Sequence, residues 1–268
     1  ALMEKKFHAS KLLLNPIHRT IIEIEKAAFE NPNLKILFTN SHMVKKEVLE
    51  HYATPPEKIQ VIHNGVEWDE MEKHFSNWSY KKESLCHSLQ LNPFDFHFLF
   101  IGNGYKRKGL IPLLEALTLL PIKDFHLSVI GKDKNCGKFQ ALAQKLGLKN
   151  HVSFFGPRAD SSQFYQIADS LVIPSYYDPF ANVTVEALAM GLYVVSSKYN
   201  GGHEILNEEN GMTIEADLSK ETIAAALIHA IAYPKTIDRS LQIRNSVKHL
   251  DFSHQLALLI DATIKSRT

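Results

Sequence analysis

Short β-rich runs alternate with amphipathic stretches along almost the whole chain, and this alternation constrains the fold more than any other property. Strand-like runs lie at 36–39, 59–62, 96–101, 126–130, 152–155, 170–173, 193–196 and 211–214. Helix-like stretches fall between them, at 41–52, 108–119, 137–146, 161–168, 182–189 and 219–232. Two further helices are expected near 238–250 and 253–265. Such an order predicts an α/β fold, a doubly wound parallel sheet of Rossmann-like type with helical crossovers. The six strands from Phe96 onward suffice for a complete sheet, whereas the first two cannot make a domain alone. Asn64-Gly65 is a turn signal, and a polar, aromatic segment runs on from it through Tyr80. The expected organisation is a remnant of another domain over 1–65, a whole domain over 66–240, and a terminal helix over 241–268 that packs back toward the N-terminal part. The opening Ala1-Leu2-Met3 reads as the middle of a helical pattern, so the chain is expected to be a fragment.

Composition narrows the function classes. A formal net charge of +1 over 268 residues creates no whole-chain field of the kind nucleic acid would require. The two cysteines, Cys86 and Cys136, lie far apart and lack metal-ligand spacing, which fits a reducing, cytoplasmic setting without a disulfide framework. No run of about 18 apolar residues is available to span a membrane. The 14 histidines include no zinc-type spacing, so no metal is expected. No Gly-x-Ser-x-Gly elbow occurs for a serine nucleophile.

Three strand-to-helix loops carry the candidate chemistry. In Tyr177-Asp178-Pro179-Phe180-Ala181-Asn182-Val183-Thr184-Val185-Glu186, one carboxylate precedes a helix and a second sits in its second turn. The helix start presents unpaired N–H groups that attract phosphate, while carboxylates beside it can accept hydrogen bonds from sugar hydroxyls. Phosphate and polyol together suggest a nucleotide-sugar. Taken alone, Asp178 and Glu186 fit a solvated helix start equally well. The loop Ile101-Gly102-Asn103-Gly104-Tyr105-Lys106-Arg107-Lys108-Gly109 joins small residues, which let the backbone approach phosphate, to three consecutive cations that can neutralise it. It is not a dinucleotide fingerprint, because Arg107 stands where a third glycine belongs, and this counts against an oxidoreductase. A solvated charge run is the blander reading. The third loop, Tyr199-Asn200-Gly201-Gly202-His203-Glu204, could line an anion nest with the N–H groups of Gly201 and Gly202, though a plain turn fits as well. Gly131-Lys132 closes a further strand and adds a fourth contact on the same rim.

With these residues in place, the chain resembles the retaining GT-B glycosyltransferases, which use two Rossmann-like domains with a cleft between them; it is most similar to bacterial lipopolysaccharide core glucosyltransferases. Asp178 and Glu186 match the family's acid-seven-acid motif, followed by Glu-Ala-Leu-Ala-Met-Gly, and Arg107-Lys108-Gly109 matches its phosphate motif. The similarity extends through 52–58, 129–134, 138–147 and 154–158. The resemblance implies a Rossmann-like C-terminal half, at 66–240, that binds the nucleotide-sugar, behind a remnant of the acceptor domain. It implies that Lys108 and Arg107 bind the donor diphosphate, Glu186 the ribose hydroxyls and Asp178 the donor-sugar hydroxyls. The N–H groups around Asn182 and Val183 would support the β-phosphate, and Phe155-Gly156-Pro157-Arg158 would flank the base, expected to be uracil. Gly102, Gly104, Lys132, Phe180, Gly201 and Gly202 complete the implied donor set. Such enzymes transfer a hexose, here expected to be glucose from its UDP derivative, to a lipopolysaccharide or other surface-glycan acceptor, with no cofactor or required metal. The alternative is a nucleotide-sugar-binding module without catalysis of its own.

Three departures from the family pattern stand out. Asp178 replaces the usual Glu, Asn103 stands where many relatives carry an Arg, and the chain is expected to carry only a remnant of the family's first domain. In residues 1–30 the cations Lys5, Lys6, Lys11 and Arg19 are interleaved with Leu12-Leu13-Leu14 and Ile17. The resemblance implies that this stretch rests on an anionic membrane surface at the cytoplasmic face; an ordinary amphipathic helix fits equally.

Overall fold

The computed structural model describes residues 16–266. Helix α1 (Pro16–Phe29), strand β1 (Leu37–Thr39), helix α2 (His42–His51) and strand β2 (Ile59–Val61) form the front part. Helices α3 (Trp68–Phe75) and α4 (Trp78–Ser88) lead into the first half of the main sheet. That half comprises β3 (Phe96–Ile101), α5 (Leu110–Leu117), β4 (Phe125–Ile130), α6 (Cys136–Lys145) and β5 (Val152–Gly156). The second half follows with α7 (Ser162–Ile167), β6 (Ser170–Ile173), α8 (Asn182–Ala189), β7 (Tyr193–Ser197) and β8 (Gly211–Ile214). Helices α9 (Lys220–Ile231), α10 (Ile237–Ser246) and α11 (Phe252–Lys265) complete the described chain.

The six main strands stand in the order β5-β4-β3-β6-β7-β8, and every neighbouring pair is parallel. This is the doubly wound order expected from the alternation. Winding runs one way from β3 to β5 and the other way from β6 to β8. It therefore reverses between β3 and β6, where Phe98 faces Ser170 and Leu99 faces Leu171. Ligands of such sheets bind outside the strand carboxyl ends at this reversal. Phe98, Leu99 and Phe100 are all fully buried. A strand covered by helices on both faces reads as a continuous apolar run, so β3 shows no alternation of its own. Strands β1 and β2 pair only with each other among the described residues.

The structure departs from the sequence expectation at three places. The polar, aromatic segment through Tyr80, where the sequence predicts no helix, is largely helical. Trp68, Met71 and Phe75 of α3 share one helical face and pack on the main core. The buried guanidinium of Arg244 lies 4.0 Å over Trp68 and 4.7 Å over Phe75, and meets Glu72 at 2.9 Å. The helix expected over 238–250 ends at Ser246 and gives way to a 3-10 turn, Lys248–Leu250. A boundary at residue 240 therefore falls inside α10.

Beyond α10 the chain returns to the segment after Gly65. Val66 N–H donates to Leu250 O and Phe252 N–H to Val66 O, both at 2.9 Å. Past this clasp, Leu256, Leu258, Leu259, Ile260 and Ile264 of α11 remain exposed. No described helix is long and apolar enough to cross a membrane. Lys5, Lys6, Lys11 and the Leu12–Leu14 run lie outside the described residues; in α1, Ile17, Ile21 and Ile24 are exposed.

Candidate functional site

The loops leaving β3 and β6 meet at the winding reversal, and there the structure joins three of the expected residues directly. Lys108 Nζ lies 2.7 Å from Asp178 Oδ2, and Arg107 donates to the same oxygen at 3.0 Å and to Tyr177 O at 2.7 Å. Lys108 is buried, with its side chain 8% exposed, whereas Arg107 is 35% exposed. Burial lowers the pKa of the Lys108 ammonium, and Asp178 opposes that shift only in part. Gly102 makes room for this arrangement, since a Cβ there would come within 3.0 Å of Lys108 Cε. Gly109 is the pivot of the loop. It caps α5 with φ +80°, and a Cβ there would overlap the Pro174 carbonyl oxygen at the end of β6.

Helix α8 opens with no side-chain cap at Ala181, which leaves the first-turn N–H groups of Asn182 and Val183 without a capping side chain. Asn182 is exposed and Phe180 is buried, with its ring 5.7 Å from that of His63. Glu186 sits one turn in. Burial raises its pKa, and a 2.6 Å hydrogen bond from the Tyr165 hydroxyl holds the rise back. No hydrogen bond or ion pair links Asp178 to Glu186 among the described residues. One acid is engaged by the cations, the other by a buried phenol.

The loop after β4 is tied to the basic loop. Asn103 Oδ1 accepts from Lys132 N–H at 2.7 Å, Gly104 N–H donates to Lys132 O at 3.1 Å, and Asp133 accepts from Tyr105 N–H at 2.8 Å. Asn103 thus acts as a strap between loops, and the Lys132 side chain is left exposed. Arg158 is exposed with its guanidinium 6.0 Å over Phe155, whose ring packs 4.8 Å from Phe164, the residue before Tyr165.

Gly201 and Gly202 do not form the expected anion nest. Gly201 N–H donates to Asp178 O at 2.9 Å, Gly202 N–H to Asn200 Oδ1 at 3.1 Å, and His203 N–H to Asn200 O at 2.8 Å. A Cβ at Gly201 would overlap Pro179 O and come within 2.5 Å of Ser41 Oγ, so this glycine permits a close backbone crossing. Asn200 is the working residue of the motif. Fully buried, it also accepts from Ala181 N–H at 3.0 Å and so fixes the entry to α8.

Glu204 caps a helix from a distant part of the chain. Its two oxygens accept from the N–H groups of His42 and Met43 at 2.8 and 2.7 Å, at the start of α2, and His63 Nε2 adds a contact at 2.9 Å. His42, His63 and Glu204 are the one group of three metal-type donors found among the described residues, but the carboxylate already serves as this cap. Ser41 Oγ donates to Pro179 O at 2.8 Å and Tyr177 Oη to Glu47 at 2.6 Å, which extends the seam to the loop before α8. Burial alone would raise the Glu204 pKa. The bonds from His63, His42 and Met43 outweigh it and hold the group below the ordinary carboxylate value of 4.5. The stability contributed by this cap is therefore present above that value and is lost as pH falls through the lower folded pKa. Glu204→Gln is expected to cost roughly 2 kcal/mol at neutral pH, and urea midpoints of the two proteins should converge as the pH drops toward 3. A gap that stays constant down to pH 3 would show that the charge of Glu204 is not what holds the seam.

The family Glycosyl transferases group 1 matches residues 82–248, which include both acids and the basic loop. The chain belongs to this family. Among glycosyltransferases, it is 30% identical over 218 residues to the lipopolysaccharide glucosyltransferase WaaG of Escherichia coli (strain K12), covering 80% of this chain. It spans 58% of that relative's length. The crystal structure of WaaG superposes with a TM-score of 0.75 at 26% identity, covering 90% of this chain and 67% of that one. HepE of Anabaena, solved with UDP and glucose, shares the GT-B fold with a TM-score of 0.74 at 20% identity, covering 94% of this chain and 69% of that one.

Proposed function

We propose that this chain carries the donor site of a retaining glycosyltransferase, which transfers glucose from UDP-glucose to a lipopolysaccharide or other surface-glycan acceptor. The observation that carries the reading is the meeting of Lys108, Arg107 and the uncapped start of α8 at the winding reversal of the sheet. Two cations and a helix N-terminus converge where a diphosphate can bind. In this reading they stabilise the departing nucleoside diphosphate electrostatically, without a metal ion. Glu186 holds the ribose and Asp178 the donor sugar, and the 155–158 segment flanks uracil. UDP as the nucleotide is favoured by the HepE complex, and glucose by the likeness to WaaG, a lipopolysaccharide glucosyltransferase.

The front part, through residue 65, is proposed to belong to an acceptor-binding domain, a reading supported by the separate β1–β2 pair. Association of the 1–30 segment with an anionic membrane surface at the cytoplasmic face belongs to the same proposal. Calorimetric titration with UDP, UDP-glucose and GDP-mannose tests the donor site. Binding of the two uridine ligands, with GDP-mannose weaker, is the expected outcome; no heat from any of the three would remove the assignment.

A further inference from the structure

Tyr165 is a fully buried tyrosine on α7 that spends its one hydroxyl hydrogen on Glu186 of α8, at 2.6 Å. It is held from several sides. Its backbone oxygen accepts from Lys235 Nζ at 2.9 Å, and that ammonium lies 4.4 Å over the Trp78 ring. The preceding Phe164 packs against Phe155. The phenol is thus a fixed donor, and burial beside Glu186 raises its pKa and keeps it protonated.

Glu186 has no cation and no other hydrogen-bond donor among the described residues. An ionised carboxylate has about four acceptor positions, and the phenol fills one of them. Burial raises the Glu186 pKa, so the protein leaves a largely desolvated carboxylate with unused acceptor capacity one turn inside α8. A vicinal diol supplies two O–H donors at the spacing of two carboxylate oxygens, which suits that vacancy better than a phosphate or an amide.

We propose that Tyr165 is a positioning residue for nucleotide recognition: its hydroxyl holds the Glu186 carboxylate in the orientation that accepts both ribose hydroxyls and makes the site selective for ribonucleotides. This rests on the donor-site reading above. Without the phenol, Glu186 is free to change rotamer and loses the one donor that favours its ionised form. Ribose recognition then weakens, and the loss deepens at lower pH, where the less supported carboxylate takes up a proton.

The test compares UDP with its 2′-deoxy analogue by calorimetry between pH 5.5 and 8, in the wild-type chain and in Tyr165→Phe, with thermal midpoints recorded alongside. The wild type is expected to prefer UDP by roughly 10- to 100-fold, the range of a hydrogen bond to a charged group. Tyr165→Phe should reduce that preference to about threefold or less and move the acid-side loss of UDP binding to higher pH. A merely structural tyrosine would lower the thermal midpoint and leave the preference and the pH profile unchanged, which would overturn the proposal. If Tyr165→Phe does not fold, Glu186→Asp keeps the charge but withdraws it from the hydroxyl by one methylene. A wild-type preference retained in that variant overturns the proposal equally. Two outcomes identify failure upstream: no UDP binding by the wild type removes the donor-site reading, and UDP binding without ribose preference removes the role of Glu186. Either one takes the Tyr165 proposal with it.

Discussion

Lys108→Ala is expected to lower affinity for UDP by about 10²- to 10³-fold and to change uridine affinity by no more than a few-fold. Truncating one member of a buried, hydrogen-bonded charge pair costs about 2–5 kcal/mol, and each 1.4 kcal/mol is a factor of ten. Lys108 falls in the middle of that range, because its side chain is only 8% exposed while Asp178, 2.7 Å away, competes with the phosphate for it. Arg107, at 35% exposed, is better solvated and cannot take its place. Uridine lacks the phosphates, so its binding reports on the base and ribose contacts alone. Calorimetry with both ligands separates the two; equal losses would show that Lys108 supports the fold of the loop and does not contact phosphate. The variant should also be less stable by roughly 2 kcal/mol, because Asp178 then keeps only its Arg107 partner.

Gly109→Ala is expected to cost at least about 3–5 kcal/mol, at the far end of single-substitution effects. Two penalties coincide. A left-handed backbone at φ +80° costs an alanine about 1–2 kcal/mol. Its methyl group would also overlap the carbonyl oxygen of Pro174, which is backbone at the end of a central strand and cannot rotate away. Relief requires the basic loop to lift off β6, which moves Arg107 and Lys108 from Asp178. Stability and UDP binding should therefore fall together. Urea denaturation followed by circular dichroism measures the first, and a loss below about 1 kcal/mol would show slack in the loop that the packing at Pro174 does not suggest.

The sheet could be read from the sequence because parallel strands covered on both faces are plain apolar runs, and Phe98-Leu99-Phe100 has no other sensible reading. Asp178 and the basic loop were readable for a local reason: both lie in loops leaving the ends of central strands, and Glu186 stands one turn inside the helix that follows Asp178. Helix α3 was hidden because its apolar face consists of Trp68, Met71 and Phe75 among charged neighbours, and part of what it packs against is the guanidinium of Arg244, 4.0 Å over Trp68 and distant in sequence. The Gly201-Gly202 pair misled because glycine permits either an exposed anion nest or a tight crossing. Only the third dimension, with Asn200 taking one of the N–H groups and Ser41 pressed alongside, decides between them. Glu204 and Tyr165 were unreadable in principle. Glu204 caps a helix start some 160 residues earlier and Tyr165 reaches Glu186 across two elements, and no spacing rule encodes either contact.

The Asp178 bridge to Lys108 and Arg107 also bears on how an anion would leave this site. A buried ammonium stripped of its partner would have to be rehydrated or lose its proton, and either would slow release. Here the vacated cations have a carboxylate waiting within 3.0 Å. On the proposed donor-site reading, departure of a diphosphate is an exchange of one counterion for another, and arrival is the same exchange in reverse. On that reading, Asp178 makes emptying the site a reversible swap.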